Sequence, residues 1–425
     1  MKKKKVLLTT IGTLGDLNPL IALAKVLEKH DFVVHIAACE DYRSNIEAEG
    51  LTYKSVAPHY NPNSKELCEA ILHPLKTLPF FYRRILNGEN LRRSVEDFDQ
   101  LVKDYDLICG NVFSYAAKIS CLKNHKKWAS INLSPTCFFS IYDPPSLYPI
   151  NFLNHMKWGR ELIFKIIYKT IFKLVDFWGR DVHQMYRDLK LSSAGNLLRQ
   201  APFSQDLNLA IYSKTLGGSQ RDWPEHTVQS GFLFYSAPSS RDLTKLNRFL
   251  DQNQKKPILF TFGSTALISF EQHYEMILNV SKELVEKFDL PIVITMNSQM
   301  QKKYSEGLNE RIFLCDYLPY TEYMERMRLI VHQGGIGTVS PCLRSGTPQL
   351  ILPGCTDQFD NAYRIERLGI GLGLPLKRLN QKSLQSYLET ILEDTEYENR
   401  ARRIQKTVIA EDSESIIIQE IQKLF

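Results

Sequence analysis

The run HQGGIGT (332–338) sets His332 and three glycines, Gly334, Gly335 and Gly337, directly before a helix-like stretch. Glycine is costly in regular structure and is kept where backbone turns sharply or comes close to something. The apolar LIVH reads as a strand entering this turn. The free amides and positive dipole end of the following helix would face the space beyond that strand, which makes an anion site. Pro341 places the helix start close to Gly337 and Thr338, because proline sits comfortably only in a first turn. His332 then lies at the rim, with a hydrogen bond to offer a phosphate oxygen. The plainer reading is tight packing around a structural histidine. No GK[ST] follows, so the run is not a Walker motif, and its glycines follow a fourth strand rather than the first strand that carries the dinucleotide fingerprint. The next strand, QLILPG, ends before Asp357 and Gln358. Adjacent strand ends of one parallel sheet share a crevice, and a carboxylate beside an amide suits bonding to vicinal hydroxyls. Phosphate plus polyol points to a nucleotide sugar.

The amino end, VLLTTIGTLGDLNP, is a strand, a glycine turn (Gly12, Gly15), Asp16 and a helix beginning near Pro19. Asp16 either caps that helix or faces a ligand at the strand's carboxyl end. Asn111, just after another strand in GNVFSYAA, is placed to orient Asp16 or an acceptor. The stretch INLSPTCFFSIYDPPSLYP (131–149) is either a proline-rich surface loop or the lining of an acceptor pocket. Ser134, Phe138, Phe139 and Tyr142 are its candidates.

These residues need elements to hold them. Apolar runs at 6–10, 33–38, 106–110, 127–133 and 208–213 read as buried strands, with helical patterns between several of them. A second set follows at 257–263, 291–296, 311–317, 329–333 and 348–354. Alternating strand and helix implies parallel sheets with right-handed crossovers. The fold class is therefore α/β with two Rossmann-like domains, 1–235 and 236–425, joined near SAPSSRDLTK (236–245). The final helix, about 411–425, is able to pack on either domain.

At 425 residues the chain is too long for one core. Apolar content of 44%, charged content of 24% and a net charge of +6 make no demand for nucleic acid, and no aromatic-plus-basic reading motif accompanies them. Eight cysteines without a CxxC pair read as reduced core residues of a cytoplasmic protein. No stretch is long and apolar enough for a transmembrane helix. One segment, WGRELIFKIIYKTIFKLVDFWGR (158–180), carries Lys165, Lys169 and Lys173 as a single stripe. It is either a core-packed helix pair with a solvated lysine edge or a surface for membrane or a lipidic substrate.

The runs H-x-G-G-x-G-T, S-G-T-P-Q-L-I-L-P and D-Q-x-D-N-A together resemble the donor signature of family 1 glycosyltransferases of GT-B fold, within residues 332–362. The resemblance implies two domains facing each other across a cleft and an inverting, metal-independent transfer with no cofactor. A UDP- or dTDP-sugar would be the co-substrate. It implies that His332, Gly334, Gly335, Gly337 and Thr338 hold the diphosphate and that Asp357 and Gln358 hold the sugar. Tyr317 of YLP would stack on the base, with the Leu318 backbone reading its edge, and Ser264 of FTFGS would lie near the phosphates. Pro341 departs from the pattern, since many members carry a ribose-binding glutamate there. G-T-x-G-D-x-x-P resembles sterol, glycopeptide-antibiotic and rhamnolipid glycosyltransferases, in which an aspartate is the base; Asp16 takes that role. LSP, FFS and YDPP look like the rhamnosyltransferase branch, which implies a hydrophobic or lipidic acceptor; peripheral contact with the inner face of the membrane is the functional reading of 158–180 alone. A polyketide, sterol or small aromatic acceptor, or a non-transferring nucleotide-sugar-binding or epimerase-like protein, are the alternatives.

Overall fold

The computed structural model describes the chain apart from residues 1–2, 62–63, 65, 68–69, 71–72, 74, 157, 236–241 and 263–269. The chain forms two compact units: Met1–Tyr235 with Glu411–Phe425, and Ser236–Ala410. Much of the expected join, 236–241, and Ser264 lie outside the described residues.

The first unit holds a seven-stranded sheet of β1 (Lys5–Thr9), β2 (Val33–Ala38), β3 (Thr52–Ser55), β4 (Leu107–Gly110), β5 (Lys127–Asn132), β6 (Leu207–Ala210) and β7 (Thr227–Gln229), in the order β3-β2-β1-β4-β5-β6-β7. Every pairing is parallel. Side chains alternate across a strand, so a sheet covered on both faces needs apolar residues at every position. In β1, Val6 and Leu8 enter one core with Leu17, Leu20 and Leu27 of α1 (Leu14–Lys29). Leu7 enters the other core with Phe98 of α2 (Gly88–Leu101) and Tyr115 of α3 (Tyr115–Lys123). α4 (Arg160–Trp178) and α5 (Arg180–Asp188) meet at Gly179, where a Cβ would lie 2.2 Å from Leu197 Cδ1.

The second unit holds six parallel strands, β8 (Ile258–Phe260), β9 (Ile292–Thr295), β10 (Ile312–Cys315), β11 (Leu329–His332), β12 (Gln349–Ile351) and β13 (Gly371–Gly373), ordered β10-β9-β8-β11-β12-β13. α6 (Tyr274–Phe288), α7 (Ile336–Ser345) and α8 (Thr356–Leu368) are among its helices. The last helix, α9 (Ser413–Gln422), belongs to the first unit, where Ile417 and Ile421 join the core of Val6 and Leu8.

Strands β3, β7 and β13 have no counterpart in the sequence reading. They are the edge or near-edge strands TYKS, TVQ and GLG, too short and too polar or glycine-rich to show a buried run. In both sheets the order reverses beside the first strand, between β1 and β4 and between β8 and β11. That is where open α/β sheets bind ligands, at the strands' carboxyl ends.

Candidate functional site

In the second unit, β11 and β12 pair with His332 opposite Ile351, so the turns that follow them are neighbours. Gly334 has φ +94°, and a Cβ there would lie 2.5 Å from Ile351 Cγ2 and 3.3 Å from the Gln358 carbonyl. Only glycine fits both the dihedral and the space. Gly335 is the N-cap of α7, and no side chain caps that helix. The amides of Ile336 and Gly337 have no intrahelical acceptor, and a Cβ on Gly337 would meet nothing within 4 Å. The helix thus starts with an open, donor-rich end.

Three expectations need correction. α7 begins at Ile336, earlier than Gly337–Thr338, and Pro341 sits in its second turn; α1 likewise begins at Leu14, well before Pro19. In both helices the residue four before the proline is glycine, Gly337 or Gly15. A proline ring crowds the carbonyl at that position, and a residue without Cβ adapts to it most easily. Second, His332 is not at the rim: it is 0% exposed. Its Nδ1 accepts from the Gly334 amide at 3.1 Å, and its Nε2 lies 3.0 Å from Gln349 Oε1. Burial drops its pKa to about 4, so the ring is neutral, with Nε2–H donating to Gln349. Both nitrogens are committed to shaping the turn. Third, Gln358 Oε1 accepts from the Gly354 and Cys355 amides (2.9 and 3.2 Å) as a cap of α8. What it can offer a sugar hydroxyl is its amide NH2.

Asp357, half-buried, accepts from the Cys355 thiol at 3.6 Å, and burial raises its pKa. The Thr338 side chain is buried, and the Tyr320 hydroxyl meets Thr261 Oγ1 at 2.8 Å. That bond ties the segment after β10 to the end of β8. That segment holds Tyr317, half-buried, and Leu318, whose side chain is buried with Leu259 and Ile330. Sequence reasoning missed Gln349, Tyr320 and Asn361. Asn361 is fully buried and donates to the Gly334 carbonyl at 2.8 Å. It lies in the D-Q-x-D-N-A run, which is the signal that could have found it.

In the first unit Asp16 is the third residue of α1 and closes a capping box. Its Oδ2 accepts from the Thr13 amide at 2.8 Å and the Thr13 hydroxyl at 3.3 Å. The carboxylate is half-buried. Gly12, at φ +154°, leaves the room it needs, since a Cβ there would lie 2.1 Å from Oδ2. Buried Tyr42 and half-buried Tyr60 each donate to the Gly12 carbonyl at 2.8 Å, and Tyr60 Oη accepts the Gly12 amide at 2.7 Å. Burial raises both phenols, so they remain neutral donors. This tyrosine clamp left no periodic trace in the sequence.

Asn111 lies inside the first unit. It is buried and pairs with Ile11 like a strand neighbour: Nδ2 donates to the Ile11 carbonyl at 2.8 Å, and Oδ1 accepts its amide at 3.4 Å and the Ser114 hydroxyl at 2.9 Å. It therefore positions the turn that carries Asp16. Ser134 is buried, with its hydroxyl 2.5 Å from Thr136 Oγ1. Burial raises the Cys137 thiol, and the Asp16 carboxylate adds to the shift, so this loop lies within electrostatic reach of Asp16. Phe138 lines no surface either. It is buried, stacked on Trp223 at 4.1 Å and Phe203 at 5.6 Å. Phe139 is partly exposed and packs edge-on against Tyr168 and Phe172 of α4. Tyr142 is half-buried under the Arg221 guanidinium, 3.8 Å from the ring centroid.

Among the described residues no group of three or more His, Cys, Asp or Glu side chains is arranged to hold a metal ion. Residues 6–101 match the profile of the glycosyltransferase family 28 N-terminal domain. Residues 280–424 match that of the erythromycin biosynthesis protein CIII-like C-terminal domain. The sterol 3-beta-glucosyltransferase of Vanderwaltozyma polyspora is 25% identical over 433 residues, covering 95% of this chain and 33% of the relative. The chain thus spans about a third of that relative's length. The O-mycaminosyltylonolide 6-deoxyallosyltransferase of Streptomyces fradiae is 25% identical over 447 residues, covering 98% and 97%. The structure of the glycosyltransferase VinC in complex with dTDP shares the fold, with TM-score 0.70, 16% identity and 99% of each chain covered. Both units of this chain are thus accounted for by one two-domain architecture, the GT-B fold, and each matches a domain profile of glycosyltransferases or of their biosynthetic relatives.

Proposed function

We propose that the protein transfers a sugar, with inversion, from a UDP- or dTDP-sugar bound by the second unit to a hydroxyl of a hydrophobic acceptor bound by the first. The observation that carries this reading is the start of α7. Its amides are left open by any side-chain cap, and its glycine turn is held from behind by His332 and Asn361. Asp357 and Gln358 lie on the neighbouring turn. A diphosphate meets the amides, and a sugar meets the Asp357 carboxylate and the Gln358 NH2. That VinC is described with dTDP favours a pyrimidine diphosphate.

Asp16 takes the proton as the acceptor oxygen attacks the anomeric carbon from the face opposite the diphosphate. The bond from that carbon to the phosphate oxygen breaks, and its electron pair leaves on the diphosphate. A carboxylate is a weak base for an alcohol, so proton transfer accompanies attack, and such base catalysis contributes ~10²–10⁴-fold. Donors aimed at the charge developing on the leaving group contribute roughly 3–4 kcal/mol each.

A thermal-shift panel of UDP, dTDP and GDP tests the donor assignment. A ligand at a hundredfold over its Kd stabilises the native state by ~2.7 kcal/mol. Stabilisation by UDP or dTDP, but not GDP, is expected; no shift with either pyrimidine diphosphate would overturn it. The capping box at Asp16 favours one second reading, in which that aspartate only caps α1 and the protein binds nucleotide sugars without transferring them. Asp16→Asn separates the two, because an inert cap leaves transfer unchanged.

A further inference from the structure

The outer face of α4 is left unexplained by sugar transfer. Six of the ten exposed large hydrophobic side chains among the described residues fall between 152 and 177. Apolar exposure scattered singly is ordinary, whereas a contiguous patch marks an interaction surface. Trp158 is 88% exposed, Leu162 64%, Ile166 60% and Phe177 60%. The helix does not lack a core-facing side, since Phe164, Tyr168 and Val175 are buried. Lys165, Lys169 and Lys173, all exposed, form a row alongside the apolar residues at four-residue spacing. The acids of the same helix are already engaged: Glu161 lies 4.0 Å from Arg221, and Asp176 accepts from Asn196 and the Leu197 amide. The face is therefore both apolar and cationic.

We propose that this face docks the protein on an anionic lipid bilayer. An amphipathic helix with lysines beside its apolar strip lies in the interfacial plane, its apolar side chains sunk among the acyl ends and its ammonium groups at the headgroups. Among the described residues no helix is long and apolar enough to cross a membrane, so α4 lies on the bilayer. A protein partner of ordinary polarity would not call for three lysines in a row beside a bare tryptophan; an anionic bilayer matches both features. The inner side of α4 holds Phe139 through Tyr168 and Phe172, which sets the acceptor-loop candidates directly behind the docking face. The docking stands independently of the transfer reading.

Flotation of the full chain with vesicles tests it. The protein should rise with equimolar phosphatidylglycerol and phosphatidylcholine, remain behind with phosphatidylcholine alone, and be released as salt is raised. Replacing Lys165, Lys169 and Lys173 with Gln should weaken partitioning about a hundredfold, roughly fivefold per lysine. Ile166→Gln with Phe177→Gln should weaken it comparably, with the circular dichroism spectrum unchanged. Absence of the wild type from the floated anionic fraction would overturn the proposal, as would flotation indifferent to all these changes. So would a dimer in sedimentation velocity that the Ile166→Gln, Phe177→Gln variant dissociates, because a second copy would then be what covers the face.

Discussion

The two units place the same device, a strand, a glycine turn and a helix, on opposite sides of the switch point of the same sheet topology, and finish it differently. After β1 the helix start is closed by its own side chains, with Thr13 and Asp16 bonding each other across the first turn. After β11 the helix start is left without a side-chain cap, and the histidine of the turn is drawn into the interior instead. The first junction already carries its anion, the Asp16 carboxylate. The second has a place for one that must come from outside. The proposed transfer, with a base on one unit and a diphosphate site on the other, would need this asymmetry, because a carboxylate at the second junction would repel the donor.

The comparison can be broken or sharpened by experiment. The largest effect is expected from Asp16→Asn. Transfer should fall ~10²–10⁴-fold, while binding of dTDP or UDP persists, as measured by turnover alongside thermal shift. Persistent turnover would reduce the first junction to a cap. Gly334→Ala should come next. It forces a Cβ against Ile351 and the Gln358 carbonyl, and overpacking of this kind costs roughly 1–3 kcal/mol, read as a lowered Tm with loss of the nucleotide shift. The matching Gly12→Ala change pushes on the Asp16 side chain and should impair transfer while sparing nucleotide binding.

The pH dependence of stability separates the junctions again. The buried His332 has a pKa near 4 against an ordinary 6.5. The unfolded chain therefore binds this proton first as pH falls. The stabilisation is complete above pH ~6.5 and is lost progressively toward pH ~4, by about 3 kcal/mol in all. Urea unfolding across that window should show the slope in the wild type and a flatter one in His332→Gln. Equal slopes would place the histidine in a less buried setting. The smallest effect is expected from Thr13→Ala, which removes a cap worth ~1 kcal/mol and should lower Tm without altering nucleotide binding.

Much of this was legible in the chain. The alternation of apolar runs and helical patterns displayed ten of the thirteen strands among the described residues, because buried parallel strands must be apolar throughout. The glycine turns stood out by their spacing, and at Gly12 and Gly334 the dihedral and clearance admit only glycine. The edge strands β3, β7 and β13 did not show, since a three- or four-residue strand at an edge needs little apolar surface.

The sequence by itself determined the two sheets, the glycine turns and the residues gathered at their ends, because these follow from local propensity and pattern. Tertiary structure decided what each of those residues does. Asn111 looked able to orient Asp16 or an acceptor and is a strut for Ile11, 100 positions away in the chain. Phe138 looked like pocket lining and is stacked between Trp223 and Phe203. His332 looked like a phosphate ligand and spends both nitrogens on Gly334 and Gln349. A polar or aromatic side chain takes its role from whichever partner reaches it first, and such partners come from distant segments that only the fold brings together.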